Sequence, residues 1–150
     1  MARNPFDLTG RKAMVTGANT GIGQGIAVAL ARAGADLALV GRSAADETQR
    51  LVEAEGRKAV QIAADLSSTA PVAQVVEQAV KALGRIDILV NNAGIIRRED
   101  ALDFSEEDWD VVMDTNLKVL FFLTQAVGRH MVEWSSQTGE RGKIVNIASM

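Results

Sequence analysis

The sequence predicts an α/β protein, in which a doubly wound parallel sheet lies between two layers of helices. Five apolar runs of strand length alternate with stretches of helical periodicity along 150 residues. Strands separated by helices form βαβ units, whose right-handed crossovers place helices on both faces of a parallel sheet. The composition, 47% apolar and 23% charged, is typical of a globular domain of this size. We therefore predict a three-layer α/β/α architecture.

The strands are predicted from short apolar runs that are too short for helices. They are Ala13–Val15, Leu37–Val40, Ala59–Ile62, Ile86–Val90 and Ile144–Ile147. Ligands of open parallel sheets bind beyond the carboxyl ends of the strands. The residues that directly follow each run are therefore the candidates for a functional site.

Four helices are predicted from apolar residues that recur every three or four positions. They run from Gly21 to Ala33, from Ala44 to Glu55, from a cap at Ser68 or Thr69 to Leu83, and from a cap at Ser105 to about Met131. In the first, the predicted core face is Ile22, Ile26, Ala29, Leu30 and Ala33; in the fourth it includes Trp109, Val112, Met113, Leu117, Leu120 and Phe121. The polar stretch Ser135–Arg141 is predicted to be the loop into the last strand.

The counts of reactive residue types exclude several kinds of site. The chain has no Cys, so it holds no disulfide, no thiolate nucleophile and no Cys-ligated metal, and one His, His130, is too few for a His cluster. The net charge is −3, without a basic stripe, which argues against a nucleic-acid partner. No apolar run approaches the roughly 20 residues that cross a bilayer. We expect a cytoplasmic protein with no metal site and no membrane partner.

A glycine-rich loop follows the first strand and leads directly into the first helix. Its sequence is Thr16-Gly17-Ala18-Asn19-Thr20-Gly21-Ile22-Gly23. Gly17 can form the tight turn, Gly21 lets the backbone approach a pyrophosphate, and Gly23 allows close packing of helix and strand. This strand–loop–helix context favours a Rossmann-type dinucleotide site over a purely structural turn. The predicted binding residues of the loop are Gly17, Asn19, Thr20, Gly21, Ile22 and Gly23.

Two motifs resemble those of the short-chain dehydrogenases/reductases. The first is Thr-Gly-x-x-x-Gly-x-Gly in the glycine loop, and the second is Asn91-Asn92-Ala93-Gly94 after the fourth strand. The resemblance implies that NAD or NADP is bound, that Asn92, Ala93 and Gly94 support the sheet and touch the adenosine ribose, and that Asp65, followed by Leu66, hydrogen-bonds the adenine amino group. It also implies a homotetramer.

The end of the second strand bears on the choice between the two cofactors. An acid there would accept hydrogen bonds from the ribose hydroxyls of NAD and repel the phosphate of NADP. Gly41 stands at the position where NAD-preferring relatives have Asp, and Arg42 and Ser43 follow it. A guanidinium and a hydroxyl can hold the 2′-phosphate, which favours NADP. The alternative is that Arg42 is a solvated surface residue.

The resemblance also implies two catalytic positions. Asn116 interrupts the apolar stripe of the long helix and is expected to be buried with a hydrogen-bond partner. It matches the family's catalytic Asn, which kinks that helix and holds a water in a proton relay. Ser149, after the last strand, matches the Ser that stabilises charge on the substrate oxygen. Taken alone, without the other motifs, each residue would better suit a structural role.

The family's remaining catalytic pair, Tyr-x-x-x-Lys, lies beyond that Ser, and this chain has no Tyr. A sheet that ended there would leave a strand edge exposed. We therefore expect residues 1–150 to be the dinucleotide-binding N-terminal part of a longer single-domain enzyme, with a sheet incomplete at its C-terminal end. The alternative is a short protein that binds a dinucleotide without turning it over.

The stretch from Asn91 to Trp109 is similar to family members that interconvert keto and hydroxy forms of acidic sugars. Arg97 and Arg98 lie there, after the fourth strand, and guanidinium groups suit the carboxylate of a sugar acid. We expect a small sugar acid as substrate. The alternative is that Glu99 and Asp100 balance two solvated arginines.

Overall fold

A five-stranded sheet with all of its strands parallel forms the centre of the protein. The computed structural model describes residues 5–148. The strands are β1 (Lys12–Thr16), β2 (Asp36–Gly41), β3 (Ala59–Ala63), β4 (Ile88–Asn91) and β5 (Lys143–Asn146), in the order β3-β2-β1-β4-β5. Each pair of neighbours is parallel. The predicted fold class is confirmed, with strand boundaries shifted by one or two residues.

Helices cover both faces of the sheet, as predicted. They are α1 (Gly21–Arg32), α2 (Asp46–Ala54), α3 (Val72–Leu83), α4 (Glu106–Met113) and α5 (Val119–Thr138), and a π-helical turn (Asp114–Lys118) joins α4 to α5. The helices α1 and α2 pack on one face and α3 and α5 on the other, so two apolar cores form. On the central strand β1, Met14 belongs to one core and Val15 to the other, and both are fully buried.

The core face of α1 differs from the predicted one. Its buried residues are Gly23, Ala27, Val28 and Ala31, whereas Ile22 is 69% exposed. Ile26 and Leu30 of the predicted face are partly buried and pack against the same core. The most buried positions lie about one residue further along the chain, beginning at Gly23, where the helix meets the glycine loop.

The long fourth helix differs from the prediction in its continuity, its face and its end. The π-helical turn changes the number of residues per turn, so a stripe extended through it at a constant period points away from the core. Leu117 in the turn and Phe121 after it are accordingly exposed, and the side chains of α5 in the core are Val119, Leu123, Val127 and Met131. Trp109 and Met113 lie before the turn and are exposed because α4 buries none of its residues. The helix continues to Thr138 and ends there, because Gly139 adopts the left-handed conformation that terminates a helix. Half of the predicted loop is therefore helical.

The two predicted helix caps have different outcomes. The Ser105 hydroxyl accepts a hydrogen bond from the backbone N–H of Asp108 at 3.1 Å, which confirms it as the cap of α4. The cap predicted for α3 is wrong, because that helix begins at Val72 after Pro71, with no side-chain cap. Within residues 5–148, none of the helices is long and apolar enough to span a bilayer.

A buried carboxylate at the start of β2 should make stability depend on pH. Burial favours the neutral form of Asp36 and by itself would raise its pKa. The carboxylate accepts hydrogen bonds from Lys12 and from the backbone N–H of Lys58, and the charges of Lys12 and Arg57 lie beside it. Together these interactions outweigh burial and hold the pKa of Asp36 below its usual value. A lowered pKa stabilises the fold above the unfolded-state value of about 3.9, and this contribution is lost as the pH falls through the folded-state value.

We expect Asp36→Asn to lower the free energy of unfolding at pH 7 by about 2 kcal/mol, the order of a charge-assisted hydrogen bond. The difference from the original protein should shrink as the pH falls below about 4. Urea unfolding at several pH values measures both. The exposed Asp103 offers the control Asp103→Asn, and an equal effect of the two changes would contradict the role of Asp36.

Candidate functional site

A cleft of about 300 Å³ lies at the carboxyl ends of the strands, where the sheet argument places a ligand. Segments that follow β1, β2, β3 and β4 line it together with α4 and the π-helical turn. Nine of the predicted site residues line this cleft: Gly17, Asn19, Arg42, Ser43, Asp65, Leu66, Ala93, Gly94 and Arg97. The volume is at the lower end of the range for ligand pockets.

The glycine loop is fastened to the end of β4 by side-chain hydrogen bonds. The buried Thr16 hydroxyl accepts from the backbone N–H groups of Asn92 (3.0 Å) and Ala93 (2.9 Å). In return, Asn92 Nδ2 donates to the carbonyl oxygens of Thr16 (3.1 Å) and Gly17 (3.3 Å). The two family motifs therefore form one structural unit. Asn92 does not line the cleft, and its side chain bonds to the glycine loop instead.

The start of α1 packs against this unit so closely that no side chain fits. A Cβ atom on Gly23 would overlap the carbonyl oxygen of Gly17 and lie 2.6 Å from Asn92 Nδ2. Gly17 and Gly21 have positive φ angles of 64° and 57°, which favour glycine. Thr20 to Gly23 border the cleft without lining it, and their backbone N–H groups form the start of the helix, where an anion is favoured.

A second helix supports the loop from the side. The fully buried Thr48 hydroxyl of α2 donates to the carbonyl oxygen of Ala18 at 2.7 Å and accepts from Gln24 Nε2 at 3.0 Å. These contacts join α1, α2 and the loop. The loop conformation therefore depends on contacts with α2 and with the end of β4 as well as on the loop's own glycines.

The other amide of the second motif joins strands. Asn91 Nδ2 donates to Asn146 Oδ1 of β5 and to the Thr124 hydroxyl of α5, both at 2.9 Å. Asn91 therefore connects β4 to its neighbour β5 and to α5. This contact fastens β5 to the centre of the sheet.

The rim of the cleft carries groups of opposite charge. Arg42 and Ser43 are exposed after β2, and Asp65 is exposed after β3. Hydrogen bonds from the backbone N–H and the hydroxyl of Ser67, and then the charge of Arg42, hold the pKa of Asp65 below its usual value. At neutral pH the rim therefore presents a guanidinium and an ionised carboxylate, which can bind an anion and a hydrogen-bond donor respectively.

Asn116 lies on the π-helical turn and is exposed, so the expectation of a buried side chain is wrong. Its expected partner is present: Oδ1 accepts from the backbone N–H of Ile95 and Nδ2 donates to the carbonyl oxygen of Ile95, both at 2.8 Å. The π-helical geometry directs this side chain away from the core and towards the segment after β4. A Cβ atom on Gly94 would lie 3.2 Å from Asn116 Oδ1, so these two residues pack closely.

The remaining predicted residues are not all at the cleft. Arg97 lines it and forms an ion pair with Asp108 of α4 at 3.1 Å rather than with Glu99 or Asp100. Arg98 is exposed and does not line it. Ser149 lies outside the described residues.

Several lining residues were not predicted. They are Gly41, Ala64, Ser67, Ile95, Val111 and Thr115. Most are neighbours of predicted residues, so extending each motif by one position would have found them. Val111 lies on α4 far along the chain from the strand ends, and no pattern in the sequence pointed to it.

Residues 11–150 match the model of a protein family described as short chain dehydrogenase. The chain belongs to the short-chain dehydrogenase family. A relative named 2-dehydro-3-deoxy-D-gluconate 5-dehydrogenase, from Dickeya dadantii, is 49% identical over 150 residues, which are 100% of this chain and 58% of the relative. The chain thus spans little more than half the length of this short-chain dehydrogenase.

Solved short-chain dehydrogenases share this fold and hold either dinucleotide. One from Agrobacterium tumefaciens, provisionally named 2-deoxy-D-gluconate 3-dehydrogenase, holds NADP; it is 50% identical with a TM-score of 0.82, over 98% of this chain and 56% of that one. Another, from Mycobacterium paratuberculosis, holds NAD; it is 34% identical with a TM-score of 0.87, over 95% of this chain and 57% of that one.

Proposed function

We propose that this protein is an NAD(P)-dependent oxidoreductase that interconverts keto and hydroxy forms of a sugar acid. The proposed substrate is of the 2-dehydro-3-deoxy-D-gluconate or 2-deoxy-D-gluconate type. The observation that carries the proposal is the cleft at the carboxyl edge of the sheet, where the glycine loop and the ends of three further strands converge. The names of the similar proteins support the choice of substrate.

The cleft fits the adenosine half of a dinucleotide. Asp65 would accept a hydrogen bond from the adenine amino group beside Leu66. Ala93 and Gly94 would lie against the ribose, with Asn92 supporting them from the glycine loop. The start of α1 offers backbone N–H groups to the pyrophosphate. The bound dinucleotide would supply or take the hydride.

We propose NADP as the preferred form of the cofactor. Arg42 and Ser43 lie on the rim, and no acid stands at the end of β2 or directly after it to repel a phosphate. A guanidinium can form two charge-assisted hydrogen bonds with that phosphate. The exposure of Arg42 leaves its donors accessible to a ligand.

On the substrate side, we propose roles for two catalytic and two binding residues. Ser149 would hold the substrate oxygen and stabilise its charge during hydride transfer. Asn116, through its exposed amide on the π-helical turn, would order a water near that site. Arg97, and next to it Arg98, would meet the sugar-acid carboxylate, with Arg97 kept in place by Asp108.

The proposal is tested by measuring how fast the complete protein, expressed from its natural reading frame, forms or consumes the reduced nicotinamide cofactor. We expect turnover with 2-dehydro-3-deoxy-D-gluconate and its 5-keto partner, and faster turnover with NADP than with NAD. The matched control is the same sugar without its carboxylate. Dinucleotide binding without turnover of either sugar acid would overturn the assignment and support a non-catalytic binding module.

A further inference from the structure

The cleft contains a second cationic side chain besides Arg42. Arg97 lines it after β4, whereas Arg42 lines it after β2, so the two residues follow strands on opposite sides of the central strand β1. Among the residues that line the cleft in the described part of the chain, these two are the cations. Because Arg42 is assigned to the phosphate of the cofactor, Arg97 is the cation left for a second anion.

The hydrogen bonds of Arg97 occupy one edge of its guanidinium group. Nε donates to Asp108 Oδ1 at 3.1 Å, and Nη1 donates to the carbonyl oxygen of Ile96 at 3.3 Å. Each Nη of a guanidinium carries a pair of N–H bonds, so both Nη1 and Nη2 keep N–H bonds that have no partner within residues 5–148. The edge formed by Nη1 and Nη2 can therefore bind both oxygens of a carboxylate.

Asp108 is itself held at the start of α4. Its Oδ2 accepts a hydrogen bond from the Ser105 hydroxyl at 3.0 Å, and its backbone N–H donates to the same hydroxyl oxygen at 3.1 Å. Asp108 stands at the position where the acid of a capping box would accept from the backbone N–H of the cap residue. Its carboxylate bonds to Arg97 instead. The side chain therefore connects the start of α4 to the segment after β4.

This ion pair is too exposed to contribute much to the stability of the fold. The side chains of Arg97 and Asp108 are 48% and 40% exposed, and water screens such pairs. Its physical effect is to fix the direction of a long, flexible side chain. A side chain that is already oriented loses less conformational freedom when it binds a ligand.

We propose that Asp108 is a positioning residue for the substrate, because it holds Nε of Arg97 so that Nη1 and Nη2 receive the carboxylate of the sugar acid. The proposal rests on the proposed function and adds the residue that orients the carboxylate-binding group. The sign of the effect separates positioning from charge. Asp108 has the same charge as the substrate, so by charge alone its removal would strengthen substrate binding. By positioning, its removal weakens substrate binding.

The test compares Asp108→Ala with Asp108→Asn in the complete protein. We expect the alanine variant to raise the KM for the sugar acid about fivefold, the order of one hydrogen bond, with kcat little changed. The asparagine variant should raise the KM less, because its Oδ1 can still accept from Arg97 Nε. If charge alone acted, both variants would lower the KM. Steady-state kinetics with the sugar acid as the varied substrate measure these constants.

The matched control is Asp110→Ala in the same helix. Asp110 is exposed, and its carboxylate has no hydrogen bond or ion pair with the described residues. Its removal takes away the same charge without touching Arg97, so the KM for the sugar acid should stay the same or fall.

A neutral competitor separates positioning from a general effect on the site. The same sugar with a hydroxymethyl group in place of its carboxylate should have the same inhibition constant in the original protein and in Asp108→Ala. An unchanged or lower KM for the sugar acid in Asp108→Ala would overturn the role of Asp108, as would an equal loss of affinity for the neutral sugar. If the original protein turns over neither sugar acid, the proposed function itself fails.

Discussion

We expect Gly23→Ala to destabilise the protein by about 3 kcal/mol, the upper range for an overpacked site. The new Cβ atom would overlap the Gly17 carbonyl group and crowd Asn92 Nδ2 at 2.6 Å. Both are held in place, since Asn92 also bonds to Thr16 and Thr48 supports the loop. Relief requires α1 to move away from the loop. Because that movement carries the backbone N–H groups at the start of α1 away from the pyrophosphate, affinity for NADPH should also fall.

The matched control is Gly25→Ala in the same helix. No atom lies within 4 Å of a Cβ at Gly25, and alanine favours helix by about 1 kcal/mol over glycine. This variant should be as stable as the original protein or more so, with unchanged affinity. Urea unfolding and titration with NADPH measure both variants. Native affinity in Gly23→Ala would show that the close packing of α1 on the loop does not shape the site.

The second large effect is expected at the rim of the cleft. Arg42→Asp replaces the proposed phosphate ligand with a carboxylate that repels the phosphate and can accept hydrogen bonds from ribose hydroxyls. Loss of charge-assisted hydrogen bonds to the phosphate should weaken NADPH binding about 10- to 100-fold. Affinity for NADH should stay the same or rise. Because Arg42 is exposed after β2, the fold should not be affected.

A control for the net charge is available at the opposite edge of the sheet. Arg141 is exposed shortly before β5, so Arg141→Asp makes the same change of charge far from the carboxyl ends of the strands. Its effect on NADPH and NADH binding should be small and equal. If the ratio of NADPH to NADH affinity is the same in Arg42→Asp and the original protein, Arg42 does not select the cofactor.

Much of the candidate site could be predicted because its residues follow strands. A strand end is a local feature, and a parallel sheet brings all of its carboxyl ends to one edge. Gly17, Arg42, Asp65 and Ala93 were found in this way and line one cleft. Val111 could not be found, because it reaches the cleft from a helix whose position depends on long-range packing.

The errors in the predicted helices have a common physical cause. Periodicity assumes one repeat along a helix and takes the larger apolar side chains as the core face. The π-helical turn breaks the first assumption at Asn116, and the contact of Gly23 with the loop breaks the second in α1. Both depend on what the helix packs against.

The sequence by itself determined the α/β class, the order of the strands and helices, and the two family motifs, because these follow from local pattern and glycine spacing. The tertiary structure alone decided that Thr16 and Asn92 join those motifs into one unit, that Asn116 faces the segment after β4, and that the Thr115 hydroxyl is left unpaired in the cleft wall. Each of these features depends on how separate elements of the fold pack together. The local sequence of a single helix or strand does not encode such packing.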